Sequence, residues 1–306
     1  MSKKTEQKLD ALIFIDTNIF LDFYRFRNSD VSVKFLEQIE KHKEILITTK
    51  QVEMEFKKNR QSVLSTKYDD LKKSQNDNPP IPDILLDDPN TEKIIKDAND
   101  LISKEKKKLY EKMEAMLKSP SISDPVFKTI NKIFDYSTVN QLSEINDEIY
   151  SLAQKRFNMG YPPRKSTDNS FGDAINWEWI IKCGQVSKKD IIIISRDGDY
   201  GRQLNKVLYL NDFLIEEFQD RTGGKTNITI TDKLTTAFKQ VKIPVTEEMI
   251  KEENKVDKLS FVPKGLEELM KEIEFLKVNG LYDSFYKERI ASTFKFQYSL
   301  RNPDDE

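Results

Sequence analysis

The chain has 306 residues, of which 37% are hydrophobic and 33% charged, and its net charge is −2. This is the composition of a globular protein with a charged surface, and it gives no overall basic footprint for nucleic acid. No apolar run approaches the ~20 residues of a membrane span, and the first residues lack the apolar core of a secretory signal. We therefore expect no membrane contact and a cytoplasmic location.

Histidine and cysteine each occur once, as His42 and Cys183. A zinc site of the Cys/His type and an internal disulfide are thereby excluded. His42 lies in the polar run 40–44, which predicts a helix end at the surface. Chemistry must come from carboxylates, lysines, hydroxyl groups or a cofactor.

The first predicted strand, Leu12 to Ile15, leads directly into Asp16, Thr17 and Asn18. Its apolar residues are typical of a strand buried on both faces, as in a parallel sheet, where ligands bind at the carboxyl ends. Asp16 could simply cap the following helix. An aspartate there is nevertheless costly to bury without a charged partner or a cation, so a functional role is equally open.

A second short strand, residues 45–47, precedes a helix that Thr48 and Thr49 can cap. Two glutamates, Glu53 and Glu55, open this helix on opposite sides of its apolar stripe. Helical phase therefore does not choose between them.

From this helix to the break at Pro162-Pro163 the pattern is helical, apart from a proline-rich loop at 76–82. Amphipathic stretches cover 91–118, 124–135 and 141–158. We expect these residues to form a helical lobe inserted between strands, at about 57–163.

A helix at 171–183 begins with Gly172 and Asp173, just after the basic pair Arg164-Lys165, which could contact a phosphate. Asp173 in the first turn could also merely complement the helix dipole. The strand 191–194 then leads into Ser195, Asp197 and Asp199. A calcium loop starting at Asp197 is excluded, because its twelfth position is a leucine.

The remaining elements are predicted strands at 207–210 and 228–230, helices at 212–218 and 234–241, and an edge strand at 294–300. Alternation of strands and helices indicates an α/β fold.

Taken in order, the acidic motifs resemble those of PIN-like nucleases, in particular the subgroup with a helical insertion between the second and third motifs. Similarity to that subgroup's glutamate helix favours Glu55 over Glu53. The residues that carry the resemblance are Asp16, Val52, Glu55-Phe56, Asn59-Arg60, Lys165, Gly172-Asp173, Trp177 and 195–199.

The resemblance implies a Rossmann-like parallel sheet sandwiched by helices at 10–222, with a mostly helical C-terminal extension at 223–306. It also implies two-metal-ion phosphodiester hydrolysis with Mg²⁺ or Mn²⁺. The expected site has catalytic, metal-binding carboxylates at Asp16, Glu55, Asp173 and Asp197, a further metal ligand at Asp199, and substrate contacts at Asn18, Ser195, Arg164 and Lys165.

Substrate is not decided by the motifs. An endoribonuclease acting on single-stranded or looped RNA is favoured over a single-strand or flap-type DNA nuclease, and a non-catalytic partner-binding module is the third possibility. A protein regulator or partner could bind the helical lobe or the C-terminal tail.

Overall fold

The computed structural model describes residues 9–26, 28–73, 90–136, 139–142, 146–163, 171–205 and 207–260. The chain forms two compact units, Met1–Asn254 and Lys255–Glu306. The sheet, the core and the candidate site all belong to the first.

A parallel sheet with the spatial order β3-β2-β1-β4-β7 is the centre of the first unit. In the described part of the chain it has five strands: β1 Ala11–Ile15, β2 Leu46–Thr49, β3 Gln141–Leu142, β4 Asp190–Ile194 and β7 Ile228–Thr231. A separate antiparallel hairpin joins β5 Gly201–Leu204 and β6 Val207–Leu210. The predicted strand at 207–210 is thus present, but it lies outside the main sheet.

Helices surround the sheet, and the described residues contain eleven α-helices and two short 3-10 helices, Asp22–Tyr24 and Lys43–Ile45. The bounds of the α-helices are α1 Thr17–Leu21, α2 Ser29–Lys41, α3 Lys50–Lys73, α4 Thr91–Lys118, α5 Pro120–Ser123, α6 Pro125–Phe134, α7 Asp147–Met159, α8 Gly172–Ser187, α9 Asp212–Thr222, α10 Leu234–Gln240 and α11 Glu247–Ser260. The α/β class predicted from the sequence is confirmed.

The core lies where the central strands meet the helices. β1 is buried along its whole length, and Ile191 to Ile194 of β4 are each 1% exposed or less. Strands buried on both faces must lie inside a sandwich, which explains their continuous apolar sequence. Trp177 of α8 and Phe56 of α3, both fully buried, pack into the same cluster.

The prediction that the chain is helical throughout 57–163 is wrong at β3. Gln141 and Leu142 pair in parallel with Thr48 and Thr49 and add a strand beside β2. Two residues are too few to show a period, and the backbone hydrogen bonds of β2 decide their conformation. This part of the chain also supplies α6, whose buried side chains join the main core.

Residues 223–254 are part of the same compact unit as the sheet. Strand β7 pairs with β4 over four residues, and Glu253 of α11 accepts the backbone N–H groups of Leu234 and Thr235 at 2.6 and 3.1 Å. Glu253 thereby caps α10. The predicted edge strand at 294–300 lies outside the described residues.

Candidate active site at the carboxyl edge of the sheet

Asp16 lies where β1 ends and α1 begins. Its backbone N–H donates to Ile194 O at 2.9 Å, which joins it to the end of β4. Oδ1 of Asp16 accepts from the Thr17 N–H at 2.7 Å and caps α1, whereas Oδ2 accepts from Asn18 Nδ2 at 2.8 Å and from Ser195 Oγ. The carboxylate is only 6% exposed. Both the capping role and the buried charge considered from the sequence are therefore present.

The electrostatics of Asp16 show which acids lie beside it. Burial, with a smaller contribution from the negative charges of Asp197 and Glu55, raises the pKa of Asp16 to about 7, against the lowering effect of the hydrogen bonds from Ser195 and the Thr17 N–H. Residues from three distant segments therefore place their carboxylates within electrostatic reach of one another.

Glu55, not Glu53, faces Asp16. Oε2 of Glu55 accepts from Thr17 Oγ1 at 3.0 Å, and its Oε1 accepts from Gln51 Nε2 at 2.6 Å. Glu53 instead lies between Lys50 and Lys57, with contacts of 2.6 and 2.5 Å. Burial opposes ionisation of Glu53, but the two lysines outweigh it and lower its pKa. Tertiary contacts thus distinguish two glutamates that helical phase could not.

Gly172 allows α8 to approach α3. A Cβ at this position would lie 2.3 Å from Gln51 Nε2 and 2.9 Å from Glu55 Oε1, well inside van der Waals contact. The missing side chain therefore brings the first turn of α8, with Asp173, close to Glu55. Glycine has no Cβ, which is what permits this close approach.

A hydrogen-bond chain holds the segment after β4 against Asp16. Ser195 Oγ donates to Asp16 and accepts from the Asp197 N–H at 3.0 Å. Asn18 Oδ1 accepts from the Arg196 N–H at 3.4 Å. Asp199, two residues further along, is 9% exposed.

Tyr200 is the site residue that the sequence did not reveal. It is fully buried, and its ring lies between Phe14 and Trp177. Burial raises its pKa well above the ordinary value, and four acids raise it further. In decreasing order of effect these acids are Asp173, Asp16, Glu55 and Asp199. A tyrosine after an acidic turn looks like a core residue in the sequence, and only the fold surrounds its hydroxyl with carboxylates.

A buried polar network positions α8 and hence Asp173. Arg156 of α7 contacts Glu178 at 2.9 Å and also contacts Glu217, which accepts from Trp177 Nε1 at 2.8 Å. Asn176 accepts from Thr49 Oγ1 at 2.6 Å. The helix that carries Asp173 is therefore tied to α7 and α9 by charge-assisted bonds and to β2 by a neutral hydrogen bond.

A PIN domain family model matches residues 13–200, which is more than half of the chain. The chain belongs to the PIN domain family. The matched segment includes Asp16, Glu55, Asp173, Asp197 and Asp199. Comparison with curated proteins gives no match, nor does comparison with solved structures.

PIN domains are generally nucleases, often RNases, and generally depend on divalent metal ions. Family membership thus supports hydrolase chemistry on nucleic acid for this chain. Within the part of the chain that the structure describes, no helix is both long and apolar enough to cross a membrane.

The donor chemistry of this PIN domain fits Mg²⁺ or Mn²⁺. Every acid in the cluster offers oxygen, the ligand that these hard cations prefer. Over the described ranges, no three acidic, histidine or cysteine side chains are already arranged to enclose a metal ion. Asp16 and Glu55 instead accept hydrogen bonds from the protein. The Thr17 N–H donates to Asp16, and Thr17 Oγ1 and Gln51 Nε2 donate to Glu55. Repulsion between buried carboxylates is what a bound cation would relieve.

His42 and Cys183 lie outside the acid cluster. His42 caps the end of α2, with Nδ1 2.9 Å from Gln38 O, and is half-buried. It precedes β2 and so lies at the opposite edge of the sheet from Asp16. Cys183 is buried in the core, and burial raises its pKa to about 12. Arg164 and Lys165 lie outside the described residues.

Proposed function

We propose that this PIN domain is a Mg²⁺- or Mn²⁺-dependent endoribonuclease that cleaves single-stranded or looped RNA. The observation that carries the proposal is the gathering of Asp16, Glu55, Asp173 and Asp197 at one edge of the sheet, from four separate segments, in a chain that belongs to a nuclease family. Structural ion pairing needs groups of opposite charge, whereas these four groups are all acids.

These four carboxylates would hold one or two ions, and Asp199 would be a further ligand. When bound, such ions lower the pKa of water and stabilise negative charge on the attacking and leaving oxygens of the phosphodiester. Asn18 and Ser195 orient Asp16, because they donate to the same oxygen.

Thr17 and Gln51 likewise orient Glu55, and each donates a hydrogen bond to a different carboxylate oxygen. Fixing both oxygens holds the carboxylate plane, which is how outer hydrogen bonds tune a metal ligand. Tyr200 stays protonated throughout the neutral pH range, because burial and the nearby acids raise its pKa. It is therefore a neutral hydroxyl group near the acids.

Two further assignments belong to the proposal. Arg164 and Lys165 would contact the substrate's phosphates ahead of α8. The chain would belong to the subgroup with a helical insertion, since α4, α5 and α6 lie between Glu55 and Asp173 along the chain.

End-labelled RNA and DNA single strands of identical sequence test the proposal. Each is incubated with the purified full chain and Mn²⁺, Mg²⁺ or EDTA, with Asp16→Asn as the matched variant. We expect metal-dependent internal cleavage of the RNA that the variant lacks. Preferential cleavage of the DNA would indicate a DNase instead of an RNase. Equal cleavage by the variant would show that Asp16 is not part of the active site. Absence of cleavage under every condition would favour a non-catalytic binding module.

A further inference from the structure

A largely apolar cavity of about 250 Å³ lies beside the carboxylate cluster. Ligand sites for drug-sized molecules span about 300–1,000 Å³, so this cavity suits a single flat ring system. Side chains from α3, β3, α7 and α8 line it, among them Gln51, Met54, Leu142, Ile149, Tyr150 and Ile175.

The cavity and the carboxylate cluster share a wall. Gln51 lines the cavity, and its Nε2 donates to Glu55 Oε1 at 2.6 Å. Ile175 lines it as well and stands two residues after Asp173 on α8. A ligand bound at the cluster can therefore place its neighbouring group in the cavity.

The lining matches the face and edge of a nucleobase. Tyr150 is 39% exposed, and its ring packs edge-on against Phe171, with centroids 5.0 Å apart and an interplanar angle of 78°. That contact holds one tyrosine face in place while part of the ring stays accessible. Aromatic and aliphatic side chains of this kind bind unstacked bases of single strands.

Positive charge lies at the rim of the cavity. Lys50 lines it, its side chain is 66% exposed, and its Nζ contacts Glu53 at 2.6 Å. An ammonium group has three donors, so Lys50 can bind a phosphate without leaving that glutamate. An apolar pocket with a cation at its edge fits a base attached to its phosphate.

We propose that this cavity binds one base of the substrate strand, next to the phosphate that is cleaved. The inference rests on the proposed nuclease function and adds a reason for single-strand preference. A base in a duplex is stacked and paired, so it cannot enter the cavity without the cost of unstacking. Apolar peptide side chains are the alternative occupants, and they predict no dependence on the base.

An abasic scan tests the proposal with the full chain. Single-stranded substrates of the cleaved type, with a mapped cut site and Mn²⁺, carry one abasic nucleotide at successive positions. We expect one position near the cut to raise KM roughly tenfold with kcat little changed, and the other positions to stay within about twofold.

The matching variants make the scan a double-mutant cycle. Tyr150→Ala should raise KM on the intact strand by a similar factor and lose nothing more when the critical base is absent. Tyr150→Phe keeps the ring and should restore the dependence on the critical base that Tyr150→Ala loses. Tyr136→Ala is the control, because Tyr136 has a similar exposure of 37% and does not line the cavity. If Tyr150→Ala fails to fold, Met54→Ala, at a position 46% exposed, replaces it.

Three results would overturn the inference. Equal cleavage of all abasic substrates would show that no base is bound. If the increases in KM caused by Tyr150→Ala and by the abasic nucleotide multiply, the base binds outside this cavity. In both cases metal-dependent cleavage of the intact strand would leave the nuclease proposal standing. If the intact strand is not cleaved at all, both proposals fail together.

Discussion

The hydroxyl of Ser195 donates a hydrogen bond to Asp16 between the ends of β4 and β1, and its oxygen accepts a hydrogen bond from the Asp197 N–H. One fully buried hydroxyl thus fixes the separation of two acids that repel each other. It also lowers the pKa of Asp16, against burial and the charges of Asp197 and Glu55. An uncharged residue therefore joins the carboxylate of Asp16 to the backbone of Asp197.

Removal of this hydroxyl should weaken the site without unfolding the protein. We expect Ser195→Ala to reduce Mn²⁺ affinity and cleavage by about 10- to 100-fold, as for other hydrogen-bond partners of metal ligands. The loss of stability should be about 1 kcal/mol. Mn²⁺ titration by calorimetry and thermal melts measure the two effects. Ser187→Ala, at the end of α8, is the control, and equal metal affinity in both variants would contradict the role of Ser195.

Glu55 and Glu53 offer a matched pair of substitutions on one helix. Glu55→Gln should reduce cleavage by at least about 100-fold, because it removes a carboxylate from the cluster. Glu53→Gln should leave cleavage within about twofold and cost less than about 1 kcal/mol of stability, since its lysine partners are largely exposed. Single-turnover cleavage and chemical denaturation measure these effects. A larger loss of cleavage in Glu53→Gln would reverse the assignment.

Gly172 tests whether the spacing of α8 and α3 matters for activity. The atoms that a new Cβ would meet are the ends of the Gln51 and Glu55 side chains, which can move. We therefore expect Gly172→Ala to fold but to lose roughly tenfold or more in cleavage, as Glu55 is displaced. Gly198→Ala is the control within the acidic turn, because its Cβ would meet nothing nearer than 3.9 Å. Equal activity of the two variants would show that the approach is unimportant.

The pH dependence of stability should reveal the buried charge of Asp16. Its pKa in the folded protein, about 7, lies above the ordinary 3.8, so folding favours the protonated form. Stability from this protonation is complete below pH ~4 and is lost as the pH rises through about 7. In EDTA at pH 8 we expect Asp16→Asn to be more stable than wild type by about 2–3 kcal/mol.

The difference should shrink as the pH falls through 7 and vanish near pH 4. Denaturant unfolding at a series of pH values, in EDTA, measures it. A variant that is less stable than wild type at pH 8 would show that Asp16 is not held as an unfavourable buried anion. Addition of Mn²⁺ at pH 8 should raise the stability of wild type more than that of the variant, because a cation offsets the repulsion.

Much of the site could be read from the sequence because its acids follow recognisable local patterns. Apolar runs that end in Asp16 and in Ser195 to Asp199 indicate strand ends, and the Gly172-Asp173 pair indicates a helix start. Since parallel strands share one carboxyl edge, their order along the chain already places these acids together. The two-residue strand β3, the strand β5 and the pairing of β5 with β6 could not be predicted, because backbone pairing with another strand determines them.

Local sequence patterns were enough to predict the α/β class and the ends of β1 and β4, and they suggested the chemical type of the site, since burial periods and residue types are local properties. Tertiary packing determines that Glu55, and not Glu53, faces Asp16 and that Tyr200 lies among the acids. It also places Gln51 between the acid cluster and an apolar cavity. Glu53 and Glu55 lie at similar angles from the apolar stripe, one on each side of it, so they differ only in what packs against them. Glu53 is paired with Lys50 and Lys57, whereas Glu55 accepts a hydrogen bond from Thr17, which follows the end of β1.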